Sequence, residues 1–357
     1  MTRVTVAQLA EFDDIIDVRS PAEFAADHIP GALNCPVLND EERAHIGTLY
    51  KQVSDFAAKK LGAALIARNI ATHLQSAFID KPKNWHPLIY CWRGGSRSGA
   101  MTHILNQIGW RADKFDGGYK SYRRAVVAEL ALLPATFKFI VVCGLTGSGK
   151  SNLLAALHSL GAQVLDLEQL AAHRGSVLGN IPQIEQPTQK MFDSLIWWQL
   201  RRFDTARPIF IEAESKKVGN LRVPEALIQA MWQTALCLRV EISNSLRITL
   251  LKQEYAHFLN DPDLLNQKLD CLTSLYGHAQ ISIWKTLVHS QQWDELVLIL
   301  LENHYDPAYN KSILQHYPDY AQAPVTPITD ISPAGLLNVA ADLLTRYDPA
   351  AIELRIS

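Results

Sequence analysis

Short apolar runs alternate with amphipathic segments along the first two thirds of the chain. The runs DDIIDVRS at 13–20, PLIYCWR at 87–93 and KFIVVC at 138–143 have the length and composition of buried strands, and each is followed by a stretch with helical spacing. This alternation predicts an α/β fold in which helices cover parallel sheets. From about residue 243, apolar residues recur at helical intervals with few strand signals, so the pattern also predicts a helical C-terminal region.

The chain is long enough to need more than one hydrophobic core. At 357 residues it exceeds the size at which a single core usually stops growing, so two domains are expected. The segment LLPAT at 132–136 marks the division, which predicts a first domain at 1–133 and a second at 134–357. We predict a helix-rich insertion at about 38–80 in the first domain and a helical extension of the second domain from about 243.

Composition narrows the classes of protein that remain. Apolar residues make up 48% of the chain and charged residues 20%, which indicates a globular protein. The formal net charge of −2 means that a nucleic acid would have to be bound by local basic patches. Five scattered cysteines without a CxxC pair argue against a disulfide framework and against a zinc site. Neither a signal peptide nor a membrane-spanning segment is predicted, so we expect a cytoplasmic protein.

One segment carries a specific phosphate-binding motif. Residues 144–151, GLTGSGKS, match G-x-x-x-x-G-K-S and lie between a predicted strand and a predicted helix. In such a loop the backbone N–H groups surround phosphate oxygens, the lysine adds a positive charge, and the final hydroxyl reaches a magnesium ion. The predicted diphosphate-binding residues are Gly144, Thr146, Gly147, Ser148, Gly149, Lys150 and Ser151, with Ser151 as the candidate magnesium ligand.

The surroundings of this loop are less specific in the sequence. A nucleoside triphosphatase needs a carboxylate on a neighbouring strand to help bind magnesium, and Asp166, Glu212 and Glu214 are the candidates. Ordinary solvation of strand ends is the alternative explanation for these three acids. His173 and Arg174 lie on a loop that a doubly wound sheet brings near the phosphate loop. Whether the loop binds a nucleotide or another diphosphate stays open, and hydrolysis is not assumed.

A second loop combines a thiol with glycines and arginines. In CWRGGSRSGA at 91–100, Cys91 follows a predicted strand and precedes a helix that starts near Ser98. Loop N–H groups, a helix N-terminus and nearby arginines lower the pKa of a thiol, which makes the thiolate a nucleophile. The predicted anion loop around catalytic Cys91 consists of Arg93, Gly94, Gly95, Ser96 and Arg97. The spacing C-x-x-x-x-x-R fits a cysteine phosphatase and a sulfur- or selenium-transfer enzyme alike.

The segments around the thiol loop resemble the rhodanese homology domain. DVRSPAEFAADHIPGALNCP at 17–36 is similar to the rhodanese opening segment, and DGGYKSYR at 116–123 is similar to its closing glycine pair. The resemblance covers roughly the first 130 residues and implies that Cys91 is the catalytic residue. It also implies that Asp17, Arg19 and Glu23 belong to the scaffold. The insertion at about 38–80 departs from a minimal rhodanese domain.

A rhodanese domain followed by a phosphate loop is a rare pairing. Together with LAAHRGSVLG, IEAESKKVGNLRVP and LLENHYDPAY, it resembles the tRNA 2-selenouridine synthase family along nearly all of the chain. The resemblance implies a transferase that replaces sulfur of wobble-position 2-thiouridine with selenium from selenophosphate, after S-alkylation by geranyl diphosphate. It implies tRNA as the partner, selenophosphate and geranyl diphosphate as co-substrates, no tightly bound cofactor and no membrane. Trp92, beside the thiol, is the candidate for stacking on the unpaired base.

Two other classes of function remain open at this point. The first is a nucleotide-dependent kinase or ATPase with a rhodanese-like phosphatase or sulfurtransferase module, which predicts nucleotide turnover. The second is a tRNA-binding module without chemistry, which two intact anion-binding loops disfavour.

Overall fold

The computed structural model describes residues 4–176, 178–234 and 236–351. The chain forms two compact units, one made of residues 1–130 and 187–198 and the other of residues 131–186 and 199–357. Each unit has a parallel β-sheet with helices around it, so the predicted α/β class is confirmed. Among the described residues, no helix is both long enough and apolar enough to cross a membrane.

The first unit is built on a four-stranded parallel sheet. Its strands are β1 (Asp14–Asp17), β2 (Leu33–Asn34), β3 (Pro87–Tyr90) and β4 (Asp113–Lys114), in the spatial order β2-β1-β3-β4. β1 and β3 pair in register over their full length, from Asp14 opposite Pro87 to Asp17 opposite Tyr90. Because β3 is buried along its entire length, its apolar run PLIY matches the expectation for a central parallel strand.

Helices surround this sheet and account for the insertion. The first unit contains 3₁₀-helix Val6–Glu11, the helices Pro21–Ala26, Asp40–Gln52, Asp55–His73, Ser96–Ile108 and Gly118–Leu130, and a π-helical turn at Leu74–Phe78. Two of these helices and the π-turn form the insertion between β2 and β3. The insertion is part of the core, because Ile70 and Phe78 are almost fully buried in the same apolar cluster as Ile16 and Ile89. Burial of a side chain such as Phe78 contributes about 1.5–3 kcal/mol to stability.

A buried ion pair ties the first strand to the rest of this unit. Arg19 is 1% exposed, and its Nη2 donates to Asp17 Oδ2 at 2.6 Å and to the Asp27 carbonyl at 2.6 Å. The guanidinium also lies 4.0 Å from the centre of the Tyr119 ring. The carboxylate, the carbonyl and the ring together compensate the charge of an arginine that has left water.

One helix of the first unit comes from much later in the chain. The returning helix, Gln189–Leu200, supplies most of residues 187–198, which the sequence-based division placed in the second domain. Ser194 Oγ donates to Asp27 Oδ1 at 2.8 Å, and fully buried Trp197 donates through Nε1 to Glu129 Oε2 at 2.8 Å. These contacts explain why Trp197 lies in a core, whereas the adjacent Trp198 is only half-buried.

The second unit has a five-stranded parallel sheet and a small hairpin. Its strands are β5 (Phe139–Cys143), β6 (Gln163–Leu165), β7 (Ile209–Glu212), β8 (Lys217–Val218), β9 (Leu221–Arg222), β10 (Leu236–Glu241) and β11 (Val325–Pro327). The sheet order is β11-β10-β5-β7-β6, and β8 and β9 form the antiparallel hairpin. β11 was not predicted: after the helical region the chain returns to the sheet, where Val325 pairs with Arg239.

Helices cover this sheet and extend beyond it. They are the α-helices Lys150–Ser159, Leu167–Ala171, Glu225–Thr234, Asn244–Glu254, Ala256–Asn260, Pro262–Asp270, Thr273–His289, Trp293–Leu300, Asp306–His316 and Pro333–Tyr347, the 3₁₀-helices Leu133–Thr136 and Pro318–Gln322, and a π-turn at Leu301–Tyr305. The helical region from residue 244 to 316 agrees with the predicted start of helical structure near 243. Within it, helices of residues 256–300 share a separate apolar cluster around fully buried Trp284.

Removing the buried cation of the first unit should destabilise it strongly. Arg19→Met leaves the Asp17 carboxylate buried without its partner, and breaking such a pair costs about 3–5 kcal/mol. The free energy of unfolding in urea measures this loss. Arg68→Met, which removes an ion pair with Glu42 from a side chain that is 65% exposed, is the matched control and should cost about 0–1 kcal/mol. Equal losses for the two variants would contradict the structural role of Arg19.

Two candidate anion-binding sites

The thiol loop, residues 91–97, connects the end of β3 to the helix Ser96–Ile108. Cys91 is 3% exposed, and its sulfur accepts a hydrogen bond from the backbone N–H of Gly95 at 3.3 Å. The hydroxyl of Ser98 lies 3.2 Å from the same sulfur. A thiolate at this position therefore faces hydrogen-bond donors and the positive end of a helix.

The electrostatics of the thiol loop favour the ionised thiol. Burial disfavours a charged sulfur, but the hydrogen bonds from Ser98, the charge of Arg97 and the N–H of Gly95 outweigh it, so the pKa of Cys91 lies below its usual value. A thiol with a lowered pKa is a stronger candidate nucleophile than the other buried cysteines. By contrast, burial raises the pKa of Cys35 to about 11.

The two arginines of this loop have different surroundings. Arg97 is half-buried and donates from Nη1 to Glu23 Oε2 at 2.7 Å, so a residue assigned to the scaffold positions it. Arg93 is exposed, as are Gly95 and Ser96, while Gly94 is half-buried. The loop thus offers exposed N–H groups and one exposed cation to an anion that approaches Cys91.

The closing segment DGGYK at 116–120 forms backbone hydrogen bonds with the thiol loop. The backbone N–H groups of Tyr119 and Lys120 donate to the carbonyls of Cys91 and Trp92 at 2.8 and 3.0 Å. Gly118 has φ +58°, and a Cβ on it would lie 2.2 Å from the Cys91 carbonyl oxygen. A glycine is required there because any side chain would push the thiol loop away.

A shallow groove lies beside the thiol loop within the first unit. Trp92 is 38% exposed, and its ring centre lies 5.1 Å from that of Tyr119. The groove has a volume of about 380 Å³. It is lined by Trp92, Tyr119, Lys120, Arg123, Arg124, Val127, Ala128 and Lys190. An exposed aromatic ring among cations has the chemistry that binds unpaired nucleotides.

The phosphate loop, residues 144–151, connects β5 to the helix Lys150–Ser159 at the mouth of a large cavity. This cavity has a volume of about 590 Å³ and is referred to below as the polar cavity. Six of the predicted diphosphate-binding residues line it: Thr146, Gly147, Ser148, Gly149, Lys150 and Ser151. Gly144 lies at the base of the loop, where its N–H donates to the hydroxyl of Tyr309 at 2.7 Å.

Residues of the helical region hold the phosphate loop in place. Arg247 is 2% exposed and donates from Nε to the carbonyl of Thr146 at 2.9 Å. Its guanidinium also pairs with Asp306 at 2.5 Å. No role was predicted for Arg247, nor for Asp306 and Tyr309 of the family segment LLENHYDPAY, because each lies about 100 residues or more from the loop it supports.

Three glutamates meet beside Ser151. Ligand oxygens of Glu168, Glu212 and Glu214 lie within 4.8 Å of one another, and Ser151 Oγ donates to Glu168 Oε2 at 3.2 Å. Burial, and then mutual repulsion, raises the pKa of Glu212 well above its usual value. Burial also raises the pKa of Glu168 to about 7 and that of Glu214 to about 8. Glu168 was missed in the sequence, although it stands only two residues after the candidate Asp166.

The other predicted residues of this site take different positions. Asp166 accepts a hydrogen bond from the N–H of Gln169 at 2.8 Å and caps the helix Leu167–Ala171, and its carboxyl also interacts with that of Glu212. His173 is buried outside the polar cavity and bonds through Nε2 to Asn180 Oδ1 at 2.9 Å. Arg174 does line the cavity, with its guanidinium 5.2 Å from the centre of the Tyr255 ring.

An apolar cavity adjoins the polar one. It has a volume of about 70 Å³, and nearly all of its wall is hydrocarbon. The helical region supplies most of this wall, including Phe258, Trp293 and Val297. Five residues line both cavities: Thr146, Ser176, Leu251, Tyr255 and Tyr305. The phosphate loop therefore stands at a junction between a charged space and an apolar one.

Two family models match different parts of the chain. Residues 4–125 match the family model of the rhodanese-like domain, and residues 137–267 match that of the tRNA 2-selenouridine synthase AAA domain. A curated relative named tRNA 2-selenouridine synthase from Alcanivorax borkumensis is 31% identical over 324 residues, which cover 83% of this chain and 88% of that protein.

Two further relatives, also named tRNA 2-selenouridine synthase, align over shorter stretches. The protein of Nitrosomonas europaea is 36% identical over 59% of this chain, and that of Aeromonas salmonicida is 34% identical over 69% of this chain. These two alignments span 56% and 66% of the relatives' own lengths.

The lowered pKa of Cys91 leads to a test by alkylation. Iodoacetamide reacts with the thiolate, so the rate at Cys91 should rise with pH through a midpoint below that of an ordinary cysteine thiol. Ser98→Ala removes a hydrogen bond to the sulfur and should move this midpoint to higher pH. Peptide mass spectrometry separates Cys91 from exposed Cys271.

Ser76→Ala is the control for this experiment, because Ser76 Oγ donates to the carbonyl of Thr72, one turn earlier in the same helical segment, and lies outside the thiol loop. It should leave the midpoint unchanged. An identical midpoint in wild type and Ser98→Ala would show that Ser98 does not stabilise the thiolate.

Proposed function

The chain belongs to the tRNA 2-selenouridine synthase family, and we propose that it is a tRNA-modifying transferase that replaces sulfur of wobble-position 2-thiouridine with selenium. We propose further that the phosphate loop binds geranyl diphosphate and that the thiol loop binds selenophosphate. In this scheme the second unit alkylates the sulfur, and the first unit supplies the selenium.

The junction of the two cavities is the observation that carries this proposal. A diphosphate held by Lys150 and the loop N–H groups has an apolar space next to it, reached past Thr146 and Leu251. A hydrocarbon chain gains free energy on entering such a space, at about 25 cal/mol per Å² of apolar surface buried. The base and ribose of a nucleotide are polar and would lose hydrogen bonds with water there. The apolar cavity is smaller than a whole geranyl chain, so it suits the end of the chain, with the remainder in the shared part.

Alkylation makes the sulfur easier to replace. The sulfur of 2-thiouridine attacks carbon 1 of the geranyl group, a carbon–sulfur bond forms, and the carbon–oxygen bond to the diphosphate breaks. The bonding electron pair leaves on the diphosphate, and the base loses its N3 proton to solvent. Lys150 and the loop N–H groups stabilise the charge that develops on the leaving diphosphate. No nucleotide hydrolysis enters this step.

Cys91 acts in the second step as a nucleophile toward phosphorus. Its thiolate attacks selenophosphate, a sulfur–phosphorus bond forms, the phosphorus–selenium bond breaks, and selenium leaves as hydrogen selenide after taking a proton from solvent. Water then hydrolyses the phosphocysteine to phosphate and free thiol. Hydrogen selenide adds to carbon 2 of the alkylated base, and geranyl thiol leaves after protonation. No atom changes oxidation state, whereas a selenium atom carried on the cysteine sulfur would require a two-electron oxidant.

The groove beside Trp92 suits the tRNA in this scheme. The exposed indole offers a stacking surface for an unpaired base next to the thiol loop, and Lys120 and Arg124 offer charges to its phosphates.

Two variants should separate the two steps. With thiolated tRNA, geranyl diphosphate and selenophosphate, Lys150→Ala should slow formation of geranylated uridine about 100-fold or more, because a charge that stabilises the leaving group is lost. It should still convert tRNA that is supplied already geranylated. Cys91→Ser should show the reverse pattern, with geranylated uridine accumulating and no selenouridine. Mass spectrometry of the digested nucleosides measures both products.

The outcomes that would reject the scheme are distinct. Wild-type protein that yields neither geranylated nor selenated uridine would overturn the proposed function. Selenouridine formed at the normal rate by Cys91→Ser would overturn the role of the thiol alone. Rapid ATP turnover that does not depend on tRNA would favour the kinase or ATPase alternative.

Narrowing the apolar cavity should weaken binding of the geranyl chain and leave binding of the diphosphate group unchanged. Val297→Phe adds volume to a half-buried wall residue and should raise the KM for geranyl diphosphate about tenfold, in the range of hydrophobic pocket changes. Inhibition by inorganic pyrophosphate, which has no chain, should stay within about twofold of wild type. Ile283→Phe, at a position 53% exposed outside the cavity, is the size-matched control. A KM unchanged by Val297→Phe would exclude the cavity as the chain site.

A further inference from the structure

Carboxyl groups outnumber basic groups around the phosphate loop. The carboxylates of Glu168, Glu214 and Glu254 line the polar cavity, whereas Lys150 and Arg174 are the lysine and arginine that line it. The ammonium group of Lys150 donates to the carbonyls of Gly144 and Leu145 at 2.7 and 3.3 Å rather than to a carboxylate. Each of these carboxyl groups repels an entering anion when it is ionised, whereas the loop N–H groups attract the anion.

Glu212 adds a buried carboxylate with an unused oxygen. The residue is 0% exposed, and its Oε1 accepts the backbone N–H of Glu168 at 2.9 Å. Its Oε2 is buried and has no hydrogen-bond partner among the described residues. An ionised oxygen in that state costs several kcal/mol unless a cation or a proton compensates it.

The geometry of the cluster fits a cation that prefers oxygen ligands. Glu168 lies in the helix after β6, whereas Glu212 ends β7 and Glu214 lies in the loop that follows. The ligand oxygens of these three residues lie within 4.8 Å of one another. Ser151 adds a hydroxyl at the same point, through its hydrogen bond to Glu168 Oε2. Carboxylate and hydroxyl oxygens are the ligands that Mg²⁺ and Mn²⁺ select.

The backbone closes over the cluster on one side. Gly175 approaches so closely that a Cβ on it would lie 2.5 Å from Glu168 Oε1 and 3.0 Å from Glu214 Oε1. The loop therefore leaves no room for a side chain at this position beside the carboxylates.

We infer that the second unit binds one divalent cation by itself, through Glu168, Glu212 and Glu214, before any diphosphate enters. This goes beyond the proposed function, since it requires neither tRNA nor a co-substrate. It differs from a cation that arrives bound to the phosphates of a nucleotide, because three carboxylates supply the ligands in advance. The bound ion offsets the repulsion of the cavity walls and lets the phosphate loop accept an anion.

Binding of Mn²⁺ alone tests this inference directly. The full chain, freed of metal by a chelator that is then removed, is titrated with Mn²⁺, and the free ion is followed by electron paramagnetic resonance. We expect one saturable site per chain. Glu168→Gln and Glu214→Gln should each raise the Kd at least tenfold, since each removes one ligand. Mn²⁺ should also raise the melting temperature of wild type and not that of the variants.

Glu254→Gln is the matched control, because Glu254 lines the same cavity and carries the same charge but is outside the three-carboxylate group. It should weaken Mn²⁺ binding less than either ligand variant does. Circular dichroism establishes that each variant is folded, and the wild-type titration stands even where one variant fails to fold.

Three results would overturn the inference. The first is no saturable Mn²⁺ binding, which would mean that protons compensate the cluster. The second is binding only when inorganic pyrophosphate is present, which would mean that the cation enters with the anion. The third is an equal loss in Glu254→Gln and Glu168→Gln, which would mean attraction by diffuse charge rather than ligation. Because the probe is the metal alone, none of these results depends on whether the chain modifies tRNA.

Discussion

Both candidate sites depend on the same constraint. Each must stabilise a charge at the carboxyl end of a buried parallel sheet. Cys91 follows β3 and the phosphate loop follows β5, and both strands are central and fully buried. A charge in such a place is unfavourable unless N–H groups or an opposite charge compensate it. Each loop therefore runs directly into a helix, whose first turn turns N–H groups toward the site.

A buried arginine stabilises each of the two loops, and in both units an aspartate forms an ion pair with that arginine. In the first unit Arg19 pairs with Asp17 and contacts Tyr119, whose N–H supports the Cys91 carbonyl. In the second unit Arg247 pairs with Asp306 and bonds to a carbonyl of the phosphate loop. A planar guanidinium can bond to a carboxylate and a backbone carbonyl at once, so one side chain connects the loop to a distant element.

The sequence was sufficient to predict a loop whose residues lie close together in the chain. The phosphate loop and the thiol loop each lie within one strand–loop–helix segment, so their residue types and spacing carry the geometry with them. The rhodanese resemblance likewise assigned Arg19 to the scaffold, where the structure has it. The sequence was insufficient where residues distant along the chain meet, as at Tyr309 and the returning helix, because periodicity does not say which element a helix packs against.

The acidic cluster shows why even nearby residues can be misjudged. Asp166 stands first after β6 and was the natural candidate, but a residue at that position caps the following helix, which leaves its carboxylate bonded to its own backbone. Glu168 lies two residues further, inside that helix, and its side chain reaches Ser151. A sequence position beside a strand end therefore identifies the region of a site, and the competition between capping and the site decides which acid serves it.

The two loops differ in charge, and this difference limits what each can bind. The thiol loop has exposed N–H groups and exposed Arg93 around one thiol, and Glu23 already neutralises Arg97. Such a site attracts a small anion without help. The phosphate loop stands beside three carboxyl groups and next to an apolar cavity, so in the proposed scheme it accepts an anion with an apolar chain once a cation offsets those carboxyl groups. The two sites are therefore not interchangeable, and a chain that contains both is suited to two successive steps with different anionic co-substrates.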